Sequence, residues 1–190
     1  REQMQAFEPA RRGVRKVIFA TNIAETSITI DGVHFVIDGG FVRLPYLDVS
    51  TGTERLVTSP VSRASARQRA GRAGRTAPGK CFRLYTEEVF RSPTFYEYTM
   101  PEMQRTSLTG AVLMLKALGI DDILHFDFLS PPAPEVLMQA LEVLFSLGGL
   151  DEECGLTQVG RRLAEFPVEP LMAKALLVSL ELGCAEELVA

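Results

Sequence analysis

The sequence predicts an α/β fold: part of a parallel sheet carrying a β-hairpin, giving way near residue 90 to an α-rich region. Three observations predict it. Residues 14–20 (VRKVIFA) and 33–38 (VHFVID) are short runs rich in β-branched and apolar residues, as expected of buried strands in an α/β sheet. Residues 41–48 and 53–58 are semi-apolar runs around Val49-Ser50-Thr51-Gly52, whose small polar residues read as the turn of a hairpin. Beyond Glu87 the apolar spacing changes from the period of strands to that of helices.

Taken in order, the two early strands end at Thr21-Asn22 and at Asp38-Gly39-Gly40, the carboxyl ends where open α/β sheets collect their ligands. After the hairpin, Ser62 is placed to cap a helix through Ala64, Ala66, Arg69 and Ala70 that stops at Gly71 and Gly74, and residues 81–85 (CFRLY) return as a strand. Thr99 and Glu102 have the spacing of a capping box before Leu108, Ala111, Val112, Leu115 and Leu118, with Gly119 as the stop. The proline-rich segment 130–134 starts a second helix with Val136, Leu137, Ala140, Leu141 and Leu144 on one face, ended by Gly148-Gly149. Residues 150–156 form a small hairpin and Thr157 caps a third helix to about Ala164. Helix, helix, wing and helix suggest a winged-helix module, and Leu171, Ala175, Leu176 and Leu180 begin a further helical layer.

Charge divides the same way. Residues 1–90 carry 14 Lys and Arg against 9 Asp and Glu (+5), and residues 91–190 carry 6 against 15 (−9). An arginine-rich half suits phosphate, whereas the acidic half is unsuited to gripping nucleic acid through charge. Cys81, Cys154 and Cys184 lie far apart without a CxxC pair, so the sequence suggests neither zinc site nor disulfide framework and fits a reducing compartment. With no apolar run of membrane-spanning length and no signal-peptide core, a soluble intracellular chain is expected. A start without Met and an end inside a helical pattern predict a piece of a longer protein.

The strongest chemical signal is Gln68-Arg69-Ala70-Gly71-Arg72-Ala73-Gly74-Arg75. Phosphoryl transfer asks a protein mainly for cations aimed at the transferred group, and arginine supplies a planar, permanently charged fork. Three arginines spaced by three fall near one edge of a short helix, and the small residues between them allow close approach of a ligand. A solvated basic helix is the plainer explanation of such spacing taken alone.

This string resembles motif VI of superfamily 2 helicases in its DEAH-box form, and residues 20–32 (ATNIAETSITIDG) resemble motif V of that family. The resemblance extends through Phe7-Glu8-Pro9, CFRLYTEEVF, MPEMQR and LKALGI, covering nearly the whole chain. It implies a partial RecA-like lobe with a β-hairpin (residues 1–90), a winged-helix domain (91–166) and the first helices of a ratchet domain (167–190).

For the site, the resemblance implies that Gln68 contacts the attacking water or γ-phosphate and that Arg72 and Arg75 reach the phosphates, Arg75 as the arginine finger. It puts Arg69 with the nucleotide, Phe7 stacked on the base and Asp31 on the ribose hydroxyls. Thr21, Asn22 and Thr29 would hold RNA phosphates, contacts that position a strand without reading its sequence. Ser27 would report the nucleotide state to that grip, and Glu25 would organise the loop and bind no metal. The hairpin resembles the strand-guiding hairpin of the family, with Tyr46 facing a base, although Tyr46-Leu47-Asp48 stands where relatives often carry Tyr-Asn-Pro. His34 and His125 read as structural.

No GxxxxGK[ST] loop and no DEAH tetrapeptide occurs in the sequence. The resemblance therefore implies an N-terminal RecA-like lobe of the same chain that binds ATP and most of the Mg²⁺, without which this piece turns over no ATP. The implied activity is 3′-to-5′ RNA translocation and ribonucleoprotein remodelling on single-stranded RNA. The expected setting is the nuclear spliceosome, with ribosome biogenesis, and so a nucleolar or cytoplasmic site, as the alternative. A docking platform for a G-patch-type regulator is a second class of function. A winged-helix DNA binder is a third, disfavoured by the acidic second half.

Overall fold

The computed structural model describes residues 2–26, 29–75 and 77–189, so Ser27 lies outside the described residues. The chain forms two compact units, one from Arg1–Leu44 with Leu56–Met100 and one from Pro45–Arg55 with Pro101–Ala190. The elements are α1 (Glu2–Gln5), α2 (Ile23–Thr26), β1 (Phe35–Asp38), β2 (Phe41–Asp48), β3 (Thr53–Pro60), α3 (Arg63–Ala70), β4 (Lys80–Arg83) and α4 (Glu87–Arg91), followed by α5 (Thr109–Ala117), α6 (Pro134–Ser146), α7 (Gln158–Ala164), α8 (Pro170–Leu182) and α9 (Ala185–Val189).

In the first unit β1 and β4 pair in parallel, Phe35 opposite Lys80 and Asp38 opposite Arg83. The strands β2 and β3 make the expected hairpin, with Gly52 at φ 67°, a left-handed turn conformation that glycine adopts without a Cβ clash. At the turn Ser50 donates to Asp48 from both hydroxyl and amide, which with Arg55 holds the Asp48 carboxyl below the usual carboxylate range. A small core of Val61, Ala66 and Phe95 is completed by Tyr85 and Phe90, whose rings lie 5.0 to 6.1 Å from one another or from Phe95. Arg63 fastens this core by donating to the carbonyls of Phe90, Arg91 and Ser92.

Residues 14–20 form no strand. Val14, Val17 and Phe19 are exposed, Phe19 almost entirely, and among the described residues only β1 and β4 form the parallel ladder. A β-branched run becomes a strand where a sheet edge accepts its amides and carbonyls, and none of the described strands lies beside this one.

The second unit is built on Leu108, Val112, Leu113, Leu137, Ala140, Leu144, Leu150, Leu163, Ala173 and Leu177, drawn from α5, α6, α7, α8 and the segments between them. Pro134 opens α6 at its first turn, where the missing N–H is not needed. A bridge between Leu150 and Leu156 makes the small wing, and Thr157 caps α7 by accepting from the Gly160 amide. This is the expected order of helix, helix, wing and helix. The hairpin tip belongs to this unit: the Leu47 amide donates to Arg105 O and the Arg105 guanidinium to Pro45 O.

One expectation fails here. Thr99 caps no helix; its hydroxyl donates to Ser62 Oγ at 3.1 Å, Glu102–Gln104 is a separate 3-10 turn, and α5 begins at Thr109. Arg105, at φ −134° and ψ −12°, follows neither helix geometry and separates the two. In α8 the apolar positions Leu171, Ala175 and Leu180 are exposed, while Pro170, Ala173 and Leu177 face the core. A helix apolar on most of its surface leaves its buried face to be chosen by its neighbours.

Candidate functional site

The string at residues 68–75 straddles the end of α3. Ser62, extended at φ −70° and ψ 157°, accepts from the Ser65 amide and so starts the helix. Ala66 is fully buried, which seats one face of α3 against the core. Past Ala70 the chain tightens into a 3-10 turn, Gly71–Gly74, with Ala73 buried beneath it. Gly79 makes that burial possible, since a Cβ there would lie 1.7 Å from the Ala73 carbonyl oxygen.

The three arginines do not stand along one edge. Arg69 turns inward: Nε donates to Glu25 Oε2 at 3.0 Å, and Nη1 to Asp38 Oδ1 at 2.9 Å and to the Phe41 carbonyl at 3.1 Å. Its side chain keeps 17% of its exposure, against 9% for Glu25 and none for Asp38. Burial opposes the charge, but hydrogen bonds to Glu25 and Asp38 outweigh it and leave the guanidinium pKa raised. Asp38 also accepts from Tyr85 Oη at 2.9 Å and from the Gly40 amide at 3.0 Å. Burial first, then the Asp38 hydrogen bond, push the Tyr85 phenol well above its ordinary value.

Gln68 is exposed, and its carbonyl receives Arg72 Nε at 3.5 Å. Arg75, exposed at the end of the turn, donates from Nη1 to Thr29 Oγ1, which joins the two motif segments at the surface. Thr21 and Asn22 are exposed, and their carbonyls accept the Ala24 and Glu25 amides to form the first turn of α2. Phe7 and Asp31 are exposed too, and among the described residues neither bonds to Arg69 or Arg75. The Phe7 segment is anchored by Lys16, whose ammonium donates to the carbonyls of Ala6 and Glu8 at 2.6 and 2.5 Å. Tyr46 is half-buried on the hairpin tip, within the other unit.

Glu25 meets its expected role as an organiser. Asp38, Tyr85 and Lys16 were missed by sequence reasoning. Asp38 had a signal, a carboxylate at the carboxyl end of a strand before two glycines, but its partner lies 31 residues away and no local pattern names it. Among the described residues no group of three or more His, Cys, Asp or Glu could hold a metal ion, and no helix is long and apolar enough to cross a membrane.

Comparison with known proteins gives this arrangement its context. The helicase conserved C-terminal domain matches residues 1–77, and the winged-helix helicase associated domain matches residues 140–168. The chain is 51% identical over 187 residues to the pre-mRNA-splicing factor ATP-dependent RNA helicase prp22 of Schizosaccharomyces pombe, covering 98% of this chain and 16% of that protein. It is 56% identical over 189 residues to the probable ATP-dependent RNA helicase DHX35 of Homo sapiens, covering 99% of this chain and 27% of that one. The crystal structure of the E. coli DExH-box NTPase HrpB superposes with a TM-score of 0.78 at 37% identity, over 94% of this chain and 22% of that one.

The family matches and the superposition show a C-terminal RecA-like helicase domain followed by the winged helix. The chain belongs to the DEAH-box helicase family.

Proposed function

We propose that this chain is part of an ATP-dependent RNA helicase that couples NTP hydrolysis to 3′-to-5′ movement along single-stranded RNA and to ribonucleoprotein remodelling. Residues 1–90 serve as the second half of the C-terminal RecA-like lobe, 91–166 as the winged-helix domain and 167–190 as the start of the ratchet domain. The observation that carries the reading is the surface junction of the two motifs. Gln68, Arg72 and Arg75 present an amide and two guanidinium groups at the end of α3, and Arg75 bonds directly to Thr29 of the other motif.

These donors fit the phosphates of a nucleotide, which they would bind and whose developing charge Arg72 and Arg75 would stabilise. Phe7 stacks on the base and Asp31 accepts from the ribose. Thr21, Asn22 and Thr29 hold RNA phosphates through hydroxyl and amide groups, and Tyr46 faces a base from the hairpin. Mg²⁺ is placed mainly with the N-terminal lobe, because this sequence carries neither the GxxxxGK[ST] loop nor the DEAH tetrapeptide. Because one relative bears the name of a pre-mRNA-splicing factor, the spliceosome and the nucleus are the proposed setting.

Unwinding by the full-length protein tests the reading. Duplexes carrying a 3′ single-stranded overhang should be opened in the presence of ATP, and those with a 5′ overhang should not. Equal activity on both, or none with ATP, would refute it.

A further inference from the structure

Arg69 lies between Gln68 and Arg72 in the string that the nucleotide reading rests on, yet its chemistry is spent elsewhere. Nε and Nη1 are taken by two carboxylates and a carbonyl, from chain positions 44, 31 and 28 residues away. A phosphate brought to this guanidinium would face Glu25 and Asp38 on the same group, so the local charge repels the ligand that the arginine spacing advertises. The cluster is also closed. Asp38 is fully buried and accepts from Arg69, Tyr85 and the Gly40 amide. The Tyr85 ring lies so close over Gly40 that a Cβ there would come within 2.6 Å of it.

What the cluster joins is specific. Glu25 sits in the turn whose first hydrogen bonds are accepted by the Thr21 and Asn22 carbonyls, the segment assigned to RNA. Arg69 sits on α3, one residue after Gln68 and three before Arg72, the segment assigned to nucleotide. Asp38 ends β1, and Phe41 begins β2. A buried ion pair with its hydrogen bonds satisfied is costly to pull apart, so a shift of either segment carries the other.

We propose that Arg69 is a positioning residue, clamped by Glu25 and Asp38, that makes the RNA-holding segment and the nucleotide-facing helix move as one body and so couples RNA binding to ATP hydrolysis. It rests on the helicase reading given above, with Arg69 moved out of the nucleotide contacts.

The test uses the full-length helicase and poly(U) as the RNA. Glu25 touches neither ligand, so Glu25→Ala should leave ATP turnover without RNA and the KM for ATP unchanged. It should cut the maximal stimulation by RNA about tenfold, a coupling loss of ordinary allosteric size. Glu25→Gln, which keeps the shape and an acceptor for Nε, should fall between the two. Thermal melting of each variant identifies the folded ones, and Glu25→Gln carries the test if Glu25→Ala does not fold. Lowered melting temperature with full RNA stimulation in these variants would make the cluster a mere brace and overturn the proposal. So would a KM for ATP that rises in Arg69→Lys with RNA stimulation intact, since Arg69 would then be a nucleotide ligand. If the wild-type protein itself shows no RNA-stimulated ATPase, the helicase reading fails first, and that control separates the two failures.

Discussion

Arg75 Nη1 donates a hydrogen bond to the hydroxyl of Thr29, so the arginine proposed as the finger rests on a residue of the segment proposed to hold RNA. An exposed guanidinium at the end of a short turn is free to leave such a partner for a stronger anion. Arg75→Ala in the full-length protein should therefore lower kcat for RNA-stimulated ATP hydrolysis by roughly 10³ to 10⁵, the usual contribution of an arginine finger. Nucleotide-free RNA affinity, measured on the same preparation by fluorescence anisotropy, should barely change. Near-normal turnover would show that the residue only ends a helix.

Arg69 should behave differently because its partners are buried. Removing it leaves Glu25 and Asp38 facing each other without a cation, and Arg69→Ala should cost about 3 kcal/mol in chemical denaturation, the low end for a broken buried pair since the arginine keeps some exposure. Arg91→Ala is the control. It deletes an exposed i,i+4 pair with Glu87, which should be worth at most about 0.5 kcal/mol.

Tyr85 gives the fold a pH dependence in the alkaline range. Burial and the Asp38 hydrogen bond raise its phenol, so the folded chain holds that proton more tightly than the unfolded chain does. The resulting stability is complete below the unfolded value of about 10 and is lost as pH rises through the folded value. Subtracting the tyrosinate absorbance titration of Tyr85→Phe from that of the wild type isolates this group. The difference curve should rise above pH ~10. A midpoint at or below that value would contradict the buried contact with Asp38.

In the second unit, Gly160→Ala should reverse an ordinary trend. Alanine in place of glycine inside a helix usually stabilises by about 1 kcal/mol. Here a Cβ would lie 2.1 Å from the Gly149 carbonyl oxygen, and backbone cannot yield as a flexible side chain does. The variant should unfold at lower denaturant than the wild type, with the Leu150 to Leu156 wing disturbed in amide hydrogen exchange. Unchanged or increased stability would mean that α7 does not approach the wing so closely.

Much of this protein was legible without coordinates. The helix caps at Ser62 and Thr157, the proline that opens α6 and the turn at Gly52 are read from single residues because each satisfies a backbone group or a dihedral within its own few positions. The same holds for the string at residues 68–75 and the segment at 20–32, whose residue types and order carry the family. Local order of this kind determined the hairpin, the helix order of the second unit and the candidates for nucleotide and RNA contact. Residues 14–20 mark where it stops: seven residues of good strand composition form no strand, because pairing is a property of the neighbour as much as of the run. The exposed stripe of α8 is another case, decided by which side of the helix the core of Leu113 and Leu163 reaches. Arg69 is the third. Its spacing from Arg72 and Arg75 is a property of the chain, whereas its pairing with Glu25 and Asp38 closes loops of 44 and 31 residues, and only the folded packing of α2, β1 and α3 brings those charges within hydrogen-bonding distance.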